Sequence, residues 1–410
     1  MESQLAYGRR AVLNLALPDE KILASYGPDA GEPLDDLVAA VAAAILDPIG
    51  YPPLTQAVVS GDRVAIPLDP SVPRSQLLVA GLIGPLCEAA IAPQDITILT
   101  ARNVIDKSED PRNELPETIA KHVKLVTHDP DNREQLGFLA TSSENQPIYL
   151  NRVIQDADVV FPIGCLRPRT AISFYGLHTV LFPTFADRAT IERYQKVSNE
   201  DPDETRRRRA EESKEAAWLL GLHATLQVIP GGGNSILQIL AGDPGKVSEV
   251  GMHRIEAVHQ HDVRRQAQLA IVGIDGDEGQ QTWENIARVV DAALPTVCEG
   301  GIIAICSELA AVPTPSSALR QLACDNDLSA ANHAIRSNNS VDAIVATVLL
   351  AAREQANLFL LSQLENELVS ELGFAPIEEA AEIARLANRV ESCILIPSAQ
   401  FADTQVDDRP

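Results

Sequence analysis

Short runs of β-branched and other apolar residues alternate along the chain with longer segments of helical periodicity. The runs predict strands at residues 63–68, 96–100, 123–127, 157–163, 269–273, 301–306, 358–361 and 393–396. Helices are predicted between them at residues 34–45, 75–91, 281–294, 316–324, 341–354 and 377–387. Strands that are apolar almost throughout and are separated by helices are typical of parallel sheets covered on both faces. The pattern therefore predicts an α/β fold with largely parallel sheets flanked by helices.

A charged segment at residues 201–210 interrupts this alternation and marks a domain junction. Its four consecutive arginines, Arg206 to Arg209, run into an amphipathic segment at 211–220. We expect a solvated helix start here, with a basic binding patch as the alternative. We predict a first α/β domain at 1–200, a charged helical junction at 201–222 and a second α/β domain at 223–410. After the junction, residues 223–230 and 235–240 predict two strands joined by a glycine-rich turn.

Composition and charge exclude several classes of partner. The chain has 410 residues, with 33 basic and 57 acidic side chains and a net charge of −24. Such a charge argues against binding of nucleic acid or of an anionic membrane surface. The first residues lack the features of a secretory signal, and no apolar run reaches the roughly 18 residues of a membrane span. None of the six cysteines forms a C-x-x-C pair, so we expect reduced thiols and a cytoplasmic protein.

Chemistry is expected in the segments that follow the strands, because ligands of parallel sheets bind beyond the carboxyl ends of the strands. These segments are residues 69–75, 101–107, 164–184 and 275–281. Several segments in and around these loops resemble the nickel-dependent lactate racemase family. Residues 47–54 (DPIGYPPL), 127–129 (THD), 149–152 (YLNR), 157–160 (ADVV) and 240–243 (LAGD) are similar to family motifs in the same order and spacing.

The resemblance implies two α/β domains with an active site in the cleft between them. It implies a nickel-pincer nucleotide tethered through a lysine. It also implies an isomerase, a racemase or epimerase that removes a hydride from the 2-carbon of a hydroxy acid and returns it to the other face. In the family, two histidines act as general acid and base on the hydroxyl, and an arginine fixes the carboxylate. The cofactor supplies the difficult chemistry in such a site, while the protein supplies orientation and proton transfer.

The residues at these functional positions differ from the family pattern. The substrate arginine falls on Val72, the loop histidine on Ile105, and the metal-side histidine on Arg169. The cofactor lysine falls on Thr179, the later histidine near Gln195, and the lysine of the second domain near Gly279. Threonine cannot form the lysine-type amide, isoleucine and glutamine cannot cycle a proton near neutral pH, and arginine has no lone pair for a metal. We predict that the scaffold is kept but that the nickel-pincer nucleotide is absent in its usual form.

Arginines follow the strands at the same loops. A guanidinium binds carboxylate or phosphate through two parallel hydrogen bonds, so we predict a site for a small organic anion. The candidate binding residues are Arg74, Arg102, Asn103, Arg167, Arg169 and Thr179. The alternative is that these arginines pair with acids such as Asp69, Asp106 and Asp187.

Three residues are candidates for catalysis: His178, Tyr175 and Asp69. His178 is either a replacement acid/base or a hydrogen-bonded loop histidine. No metal site is predicted, because His253, His259 and His261 lack a carboxylate or cysteine that would complete a known geometry. Three functions stay open: a racemase-like enzyme with altered groups, a non-catalytic paralogue that binds a ligand or a protein, and a nickel enzyme whose lysine is misaligned. The oligomeric state is open as well.

Overall fold

Two large sheets form the centre of the molecule. The structure, a computed structural model, describes residues 2–28, 31–101, 107–198, 201–323, 328–337, 340 and 342–407. The predicted α/β class with largely parallel sheets is confirmed. The apolar strands of both sheets are buried because helices or a hairpin cover both faces of each sheet.

The first sheet is parallel except for one edge strand. Its strands, in spatial order, are Ile236–Gly242, Thr225–Pro230, Ile163–Cys165, Val64–Leu68, Ile96–Thr100 and Lys124–Thr127, and Val159–Val160 also pairs with Val64–Leu68. The edge strand Ile236–Gly242 runs antiparallel to its neighbour. Helices Leu37–Leu46 and Ser75–Glu88 pack on one face of this sheet. Helices Arg152–Gln155 and Pro202–Leu220 contribute to the core on the other face.

The second sheet is parallel throughout. Its strands, in spatial order, are Ala375–Ile377, Asn357–Leu361, Val297–Cys306, Ala267–Gly273, Cys393–Ile396 and Ile22–Ser25. Helices Trp283–Ala293 and Ala343–Arg353 cover one face. Helix Ala380–Arg389 and the hairpin formed by Glu2–Tyr7 and Ala11–Ala16 cover the other. The register places Gly273 opposite Cys306, so these two strands end at the same edge of the sheet.

Smaller elements complete the chain. Strands Leu136–Thr141 and Pro147–Asn151 form a hairpin, and Gln260–Val263 pairs with Asp403–Val406 in parallel. The remaining helices are Glu117–Ala120, Arg188–Gln195, Pro244–His259, Leu328–Ser337 and Asn366–Glu371. Short 3-10 helices occur at Asp19–Lys21, Leu54–Gln56, Pro93–Asp95, Lys107–Glu109, Leu177–Val180, Leu294–Thr296, Ala318–Ala323 and Ala399–Phe401.

Both sheets draw strands from distant parts of the chain. The predicted pair of strands around the glycine turn is confirmed as Thr225–Pro230 and Ile236–Gly242, but it extends the first sheet through Ile163–Cys165. Conversely, Ile22–Ser25 completes the second sheet beside Cys393–Ile396. The boundaries 1–200, 201–222 and 223–410 stay a prediction about independently folding units, because strand pairing by itself does not define such units.

Three predicted elements differ from the structure. The single strand predicted at 157–163 is divided into Val159–Val160 and Ile163–Cys165. Residues 316–324 were expected to be an α-helix, but Ala318–Ala323 is a 3-10 helix. The segment predicted as a helix at 377–387 contains the end of the edge strand Ala375–Ile377, and its helix begins only at Ala380. The charged junction forms one helix, Pro202–Leu220, which Asp201 caps by accepting hydrogen bonds from two backbone amides. Among the described residues, no helix has the length and apolar character needed to cross a membrane.

Candidate functional site

A cavity of about 230 Å³ lies where the carboxyl ends of the two sheets approach each other. The first sheet contributes Asp69, which follows Val64–Leu68, and Arg167, which follows Ile163–Cys165. The segment after Ala267–Gly273 contributes Gly279 and the first two turns of the helix Trp283–Ala293. Residues from the long loop at 173–184 and from the end of helix Arg188–Gln195 close the remaining side.

Arg167 is the most unusual residue of this cavity. Its side chain is only 2% exposed. Its Nη1 donates to the carbonyl oxygen of Gln400 at 3.0 Å, and its guanidinium lies 4.8 Å from the centre of the Phe401 ring. Its Nη2 is buried without a hydrogen-bond partner, and no carboxylate among the described residues forms an ion pair with it. A buried cation in this state is costly unless a ligand supplies the missing negative charge.

A second guanidinium, that of Arg288, lines the same cavity. Its Nε and Nη2 donate to the carbonyl oxygen of Ile172 at 3.0 and 2.8 Å, and its Nη1 donates to Asn285 Oδ1 at 2.8 Å. Its Nη2 also donates to Glu284. Burial, followed by the positive charge of Arg167, lowers the pKa of Arg288 to about 10. Arg288 therefore keeps its proton at neutral pH, and the cavity holds two cations.

Two carboxylates balance part of this charge. Asp69 Oδ1 accepts hydrogen bonds from the backbone amide and the hydroxyl of Ser71, at 2.8 and 2.7 Å, and Oδ2 accepts one from the amide of Cys165 at 3.4 Å. These bonds hold the loop after the first-sheet strand. Glu284 is occupied by Arg288. Arg167 is thus left as the cation whose partner is missing.

The structure brings three of the substituted family positions to this cavity. Thr179, Gln195 and Gly279 all line it. The hydroxyl of Thr179 donates to the carbonyl oxygen of Gly176 at 2.8 Å and accepts from the amide of Tyr175 at 3.0 Å, so it shapes the loop. Gln195 Oε1 is buried without a hydrogen-bond partner. At Gly279, an added Cβ would lie 2.7 Å from the carbonyl oxygen of Pro70.

These residues do not fit a lysine-tethered nickel nucleotide. None of the described residues that line the cavity is a lysine or a histidine. The hydroxyl of Thr179 cannot replace the amine, and the backbone of Pro70 leaves no room for a long side chain at Gly279. In the part of the chain that the structure describes, no group of three or more histidine, cysteine or acidic side chains is arranged to hold a metal ion.

The predicted catalytic residues Tyr175 and His178 belong to the loop of the cavity. The Tyr175 hydroxyl donates to the carbonyl oxygen of Tyr194 at 3.1 Å and accepts from Arg209 at 2.9 Å, and burial raises its pKa. Burial, with a smaller effect of Lys214, lowers the pKa of His178 to about 4, so its imidazole is neutral at pH 7. Residues on both sides of His178 line the cavity, whereas His178 does not. Proton transfer by these two residues stays a prediction.

The other predicted arginines occupy different places. Arg169 lies outside the cavity, largely exposed, and pairs with Glu256 at 3.2 Å. Arg74 is exposed at the start of helix Ser75–Glu88, with φ at 53°, and does not line the cavity either. Arg102 and Asn103 fall outside the described residues. Of the six predicted binding residues, the structure places Arg167 and Thr179 at the cavity.

The sequence did not single out Arg288, and it suggested no part for Gln195 in binding a ligand. A signal for Arg288 existed, because Glu284 and Arg288 are four residues apart on a helix that begins directly after a strand-end loop. The first turns of such a helix point toward the ligand edge of the sheet. No sequence signal predicts that Gln195 Oε1 is buried without a hydrogen-bond donor, because burial and hydrogen bonding of this atom depend on the folded chain.

Comparisons with known proteins agree with this architecture. Residues 7–206 match the family model of the lactate racemase N-terminal domain. The fold is similar to that of the lactate racemase apoprotein from Thermoanaerobacterium thermosaccharolyticum, with 19% identity, a TM-score of 0.78, and coverage of 99% of this chain and 100% of the other. It is also similar to a structural-genomics protein from Thermotoga maritima, with 14% identity, a TM-score of 0.65, and coverage of 92% and 99%. No curated protein sequence matches the chain significantly.

Proposed function

Residues 7–206 belong to the lactate racemase N-terminal domain family, and from this premise we propose that the whole protein is a divergent lactate racemase-like protein that binds a small organic anion. The ligand occupies the cavity between the two sheets. The binding does not use the tethered nickel nucleotide of the family.

The buried guanidinium of Arg167 carries this proposal. It has a donor, Nη2, without a partner, and no carboxylate among the described residues forms an ion pair with it. Arg288 adds a second positive charge in the same cavity. An anion with two oxygens, such as a carboxylate, would accept from Arg167 and offset the repulsion between the two cations.

Gln195 suggests what the rest of the ligand offers. Its buried Oε1 is an acceptor without a donor, so a ligand that carries a hydroxyl as well as a carboxylate offers a partner of the right kind to each unpaired group. This requirement is compatible with a 2-hydroxy acid, the substrate class that the family resemblance implies. Acids without a hydroxyl would leave the Gln195 acceptor desolvated and unpaired, which disfavours them.

Calorimetric titration with L-lactate, D-lactate, propionate and phosphate tests the proposal. We expect wild-type protein to bind at least one of the lactates more tightly than propionate, and Arg167→Met to weaken that binding by more than about tenfold. Arg169→Gln is the matched control, because Arg169 is a neighbouring arginine outside the cavity. Wild-type protein that binds none of these anions at millimolar concentration would refute the proposal.

A second measurement concerns the cofactor. We expect protein made together with the enzymes that assemble the nickel-pincer nucleotide to contain no stoichiometric nickel and to show the mass of the unmodified chain. Metal analysis and intact-mass spectrometry provide the two readings. Stoichiometric nickel with an added nucleotide mass would contradict this proposal and support a nickel enzyme whose lysine is misaligned.

One observation favours a second candidate function, that of a non-catalytic paralogue. Among the described cavity residues there is no imidazole or amine to move a proton at neutral pH. We expect polarimetry to show no loss of optical rotation when the protein is incubated with either lactate enantiomer. Loss of rotation that survives Arg169→Gln and disappears in Arg167→Met would support the isomerase instead.

A further inference from the structure

A buried carboxylate, Asp275, lies outside the cavity and is linked to Arg167 through Gln400. Asp275 is only 3% exposed and follows the second-sheet strand Ala267–Gly273. Its Oδ2 accepts from the amide of Gly233 and from the hydroxyl of Ser398, both at 2.6 Å, and its Oδ1 accepts from Gln400 Nε2 at 2.8 Å. All of these groups donate to Asp275 and so favour its ionised form, whereas burial has the larger effect and raises its pKa.

The same contacts join both sheets. Gly233 belongs to the turn between the two outer strands of the first sheet, whereas Ser398 and Gln400 follow Cys393–Ile396 of the second. Gln400 Nε2 also donates to the backbone carbonyl oxygen of Asp275 at 2.8 Å. Asp275 therefore fixes the 3-10 helix Ala399–Phe401 against the first sheet.

This 3-10 helix contains the contacts that hold Arg167. The carbonyl oxygen of Gln400 accepts from Arg167 Nη1, and the ring of Phe401 lies under the guanidinium. Before it, Ser398 has a φ of 51°, a left-handed conformation that is unfavourable for a residue with a side chain. The hydrogen bond from Ser398 to Asp275 offsets that strain, so loss of the carboxylate would allow the 3-10 helix to shift.

We propose that Asp275 is a positioning residue for the anion site, which holds the guanidinium of Arg167 in place through the side chain and carbonyl of Gln400. This inference rests on the proposed function, because it assigns the support of the same arginine. Asp275 and Gln400 do not line the cavity, and they act on the ligand through Arg167.

The test compares two buried glutamines. Gln400→Ala removes the tether to Asp275 and leaves the backbone carbonyl that accepts from Arg167. Gln281→Ala is the control: Gln281 is also buried and bonds to the same loop, with its Nε2 donating to the carbonyl oxygens of Ile274 and Gly276 at 3.3 and 3.4 Å. It has no hydrogen bond to Arg167 or Gln400 in the structure. Both variants should lower the thermal midpoint, and Gln281→Ala by at least as much, because Gln281 Oε1 also accepts from the Ser307 hydroxyl and the Glu308 amide at 2.8 and 2.9 Å.

We expect the affinity for L-lactate or D-lactate, whichever binds wild type, to fall about tenfold in Gln400→Ala and to change less than about twofold in Gln281→Ala. Asp275→Asn, which keeps the shape of the side chain, should weaken binding in the same direction. Equal affinities in Gln400→Ala and Gln281→Ala, with Arg167→Met still defective, would overturn the positioning role and leave the anion site intact.

An NMR measurement without ligand tests the positioning role of Asp275 separately from the proposed anion binding. The Nε–H resonance of Arg167, assigned by its loss in Arg167→Met, reports the environment of the guanidinium. We expect this resonance to shift in Gln400→Ala and Asp275→Asn and to stay in place in Gln281→Ala. If wild type binds no anion, the proposed function fails, and the resonance alone decides whether Asp275 positions Arg167. An unchanged resonance in both variants would overturn the inference.

Discussion

Arg167 combines burial, a positive charge and an unpartnered donor, and these properties have consequences for stability as well as for binding. Without an anion, the folded state bears the desolvation of this guanidinium, partly offset by one hydrogen bond and the Phe401 ring. Replacing a buried charge with an apolar group of similar size is often neutral or stabilising. A site of this kind reduces stability until its ligand arrives.

Chemical denaturation in an anion-poor buffer checks this consequence. We expect Arg167→Met without ligand to be at least as stable as wild type, by up to about 2 kcal/mol. With L-lactate or D-lactate at about 100 times the dissociation constant of the wild type, the wild type should gain roughly 2.7 kcal/mol and the variant less than about 1.4 kcal/mol. A variant that is much less stable than wild type in both buffers would mean that Arg167 is a structural residue.

His259 predicts the response of the fold to acid. It is 1% exposed, and its Nε2 donates to the carbonyl oxygen of Pro230 at 2.9 Å. Burial lowers its pKa to about 4, whereas an unfolded histidine titrates near 6.5. Below pH 6.5 the unfolded chain binds a proton that the folded chain does not bind until about pH 4, so stability is present above pH 6.5 and is lost as the pH falls.

We expect this histidine alone to remove about 2 kcal/mol of stability between pH 6.5 and pH 5. Denaturant unfolding across that range measures the loss. His259→Gln keeps a donor for Pro230 and does not titrate. Between pH 6.5 and pH 5 this variant should therefore lose about 2 kcal/mol less stability than the wild type. Parallel curves for the two proteins would show that His259 is not the group that responds.

Single residues also show where the sequence was informative. The rule that ligands bind at strand ends located Asp69 and Arg167, because it depends on topology alone. It could not separate Arg167 from Arg169, two residues later, because the direction of a loop side chain depends on tertiary packing. Arg169 turns outward to Glu256 while Arg167 turns inward to Gln400.

At the level of elements, close helix contacts depend on glycines. Helix Ser75–Glu88 packs on helix Leu37–Leu46, and a Cβ at Gly81 would lie 2.7 Å from the Val41 Cβ and 2.9 Å from the Val38 carbonyl oxygen. At Gly84 of the same helix, an added Cβ would meet nothing within 4 Å. The two glycines therefore provide a matched pair in one helix.

We expect Gly81→Ala to lower the free energy of unfolding by about 1 to 3 kcal/mol, because the clash exceeds the gain in helix propensity. Gly84→Ala should change it by less than about 1 kcal/mol, because higher helix propensity opposes the restriction that Pro85 places on the preceding residue. Urea unfolding of both variants gives the two values. Equal decreases in the free energy of unfolding would mean that the two helices can move apart at Gly81 at little energetic cost.

Elements with strong local signals were predicted well. The strands Ile96–Thr100 and Cys393–Ile396 have the predicted bounds, and the long helix after Asp201 begins where an N-cap and a following proline indicate a helix start. The 3-10 helix Ala318–Ala323 was expected to be an α-helix. Hairpins such as Glu2–Tyr7 with Ala11–Ala16 were missed, because their strands are short and half-exposed and become stable only when packed on a sheet.

At the level of the whole molecule, each sheet needs strands from the opposite part of the chain. Ile163–Cys165 pairs with Thr225–Pro230, and Leu226 and Val228 lie in the core of the first sheet. Ile22–Ser25, in contrast, pairs in the second sheet. Periodicity along the chain cannot reveal this exchange, because it reports neighbours in sequence and not partners across a sheet.

The exchange of strands makes a sharp prediction about fragments. A fragment of residues 1–222 ends at the predicted boundary, but it lacks both outer strands of the first sheet and exposes the edge of Ile163–Cys165. A fragment of residues 31–259 keeps all seven strands of that sheet and helix Pro244–His259, which packs on its two outer strands. We expect 31–259 to unfold cooperatively in urea and 1–222 to aggregate or unfold without a transition, because an unpaired apolar edge promotes association. Circular dichroism and analytical ultracentrifugation distinguish these states. Cooperative unfolding of monomeric 1–222 would instead support a domain boundary at residue 222 and show that the outer strands are dispensable for the first sheet.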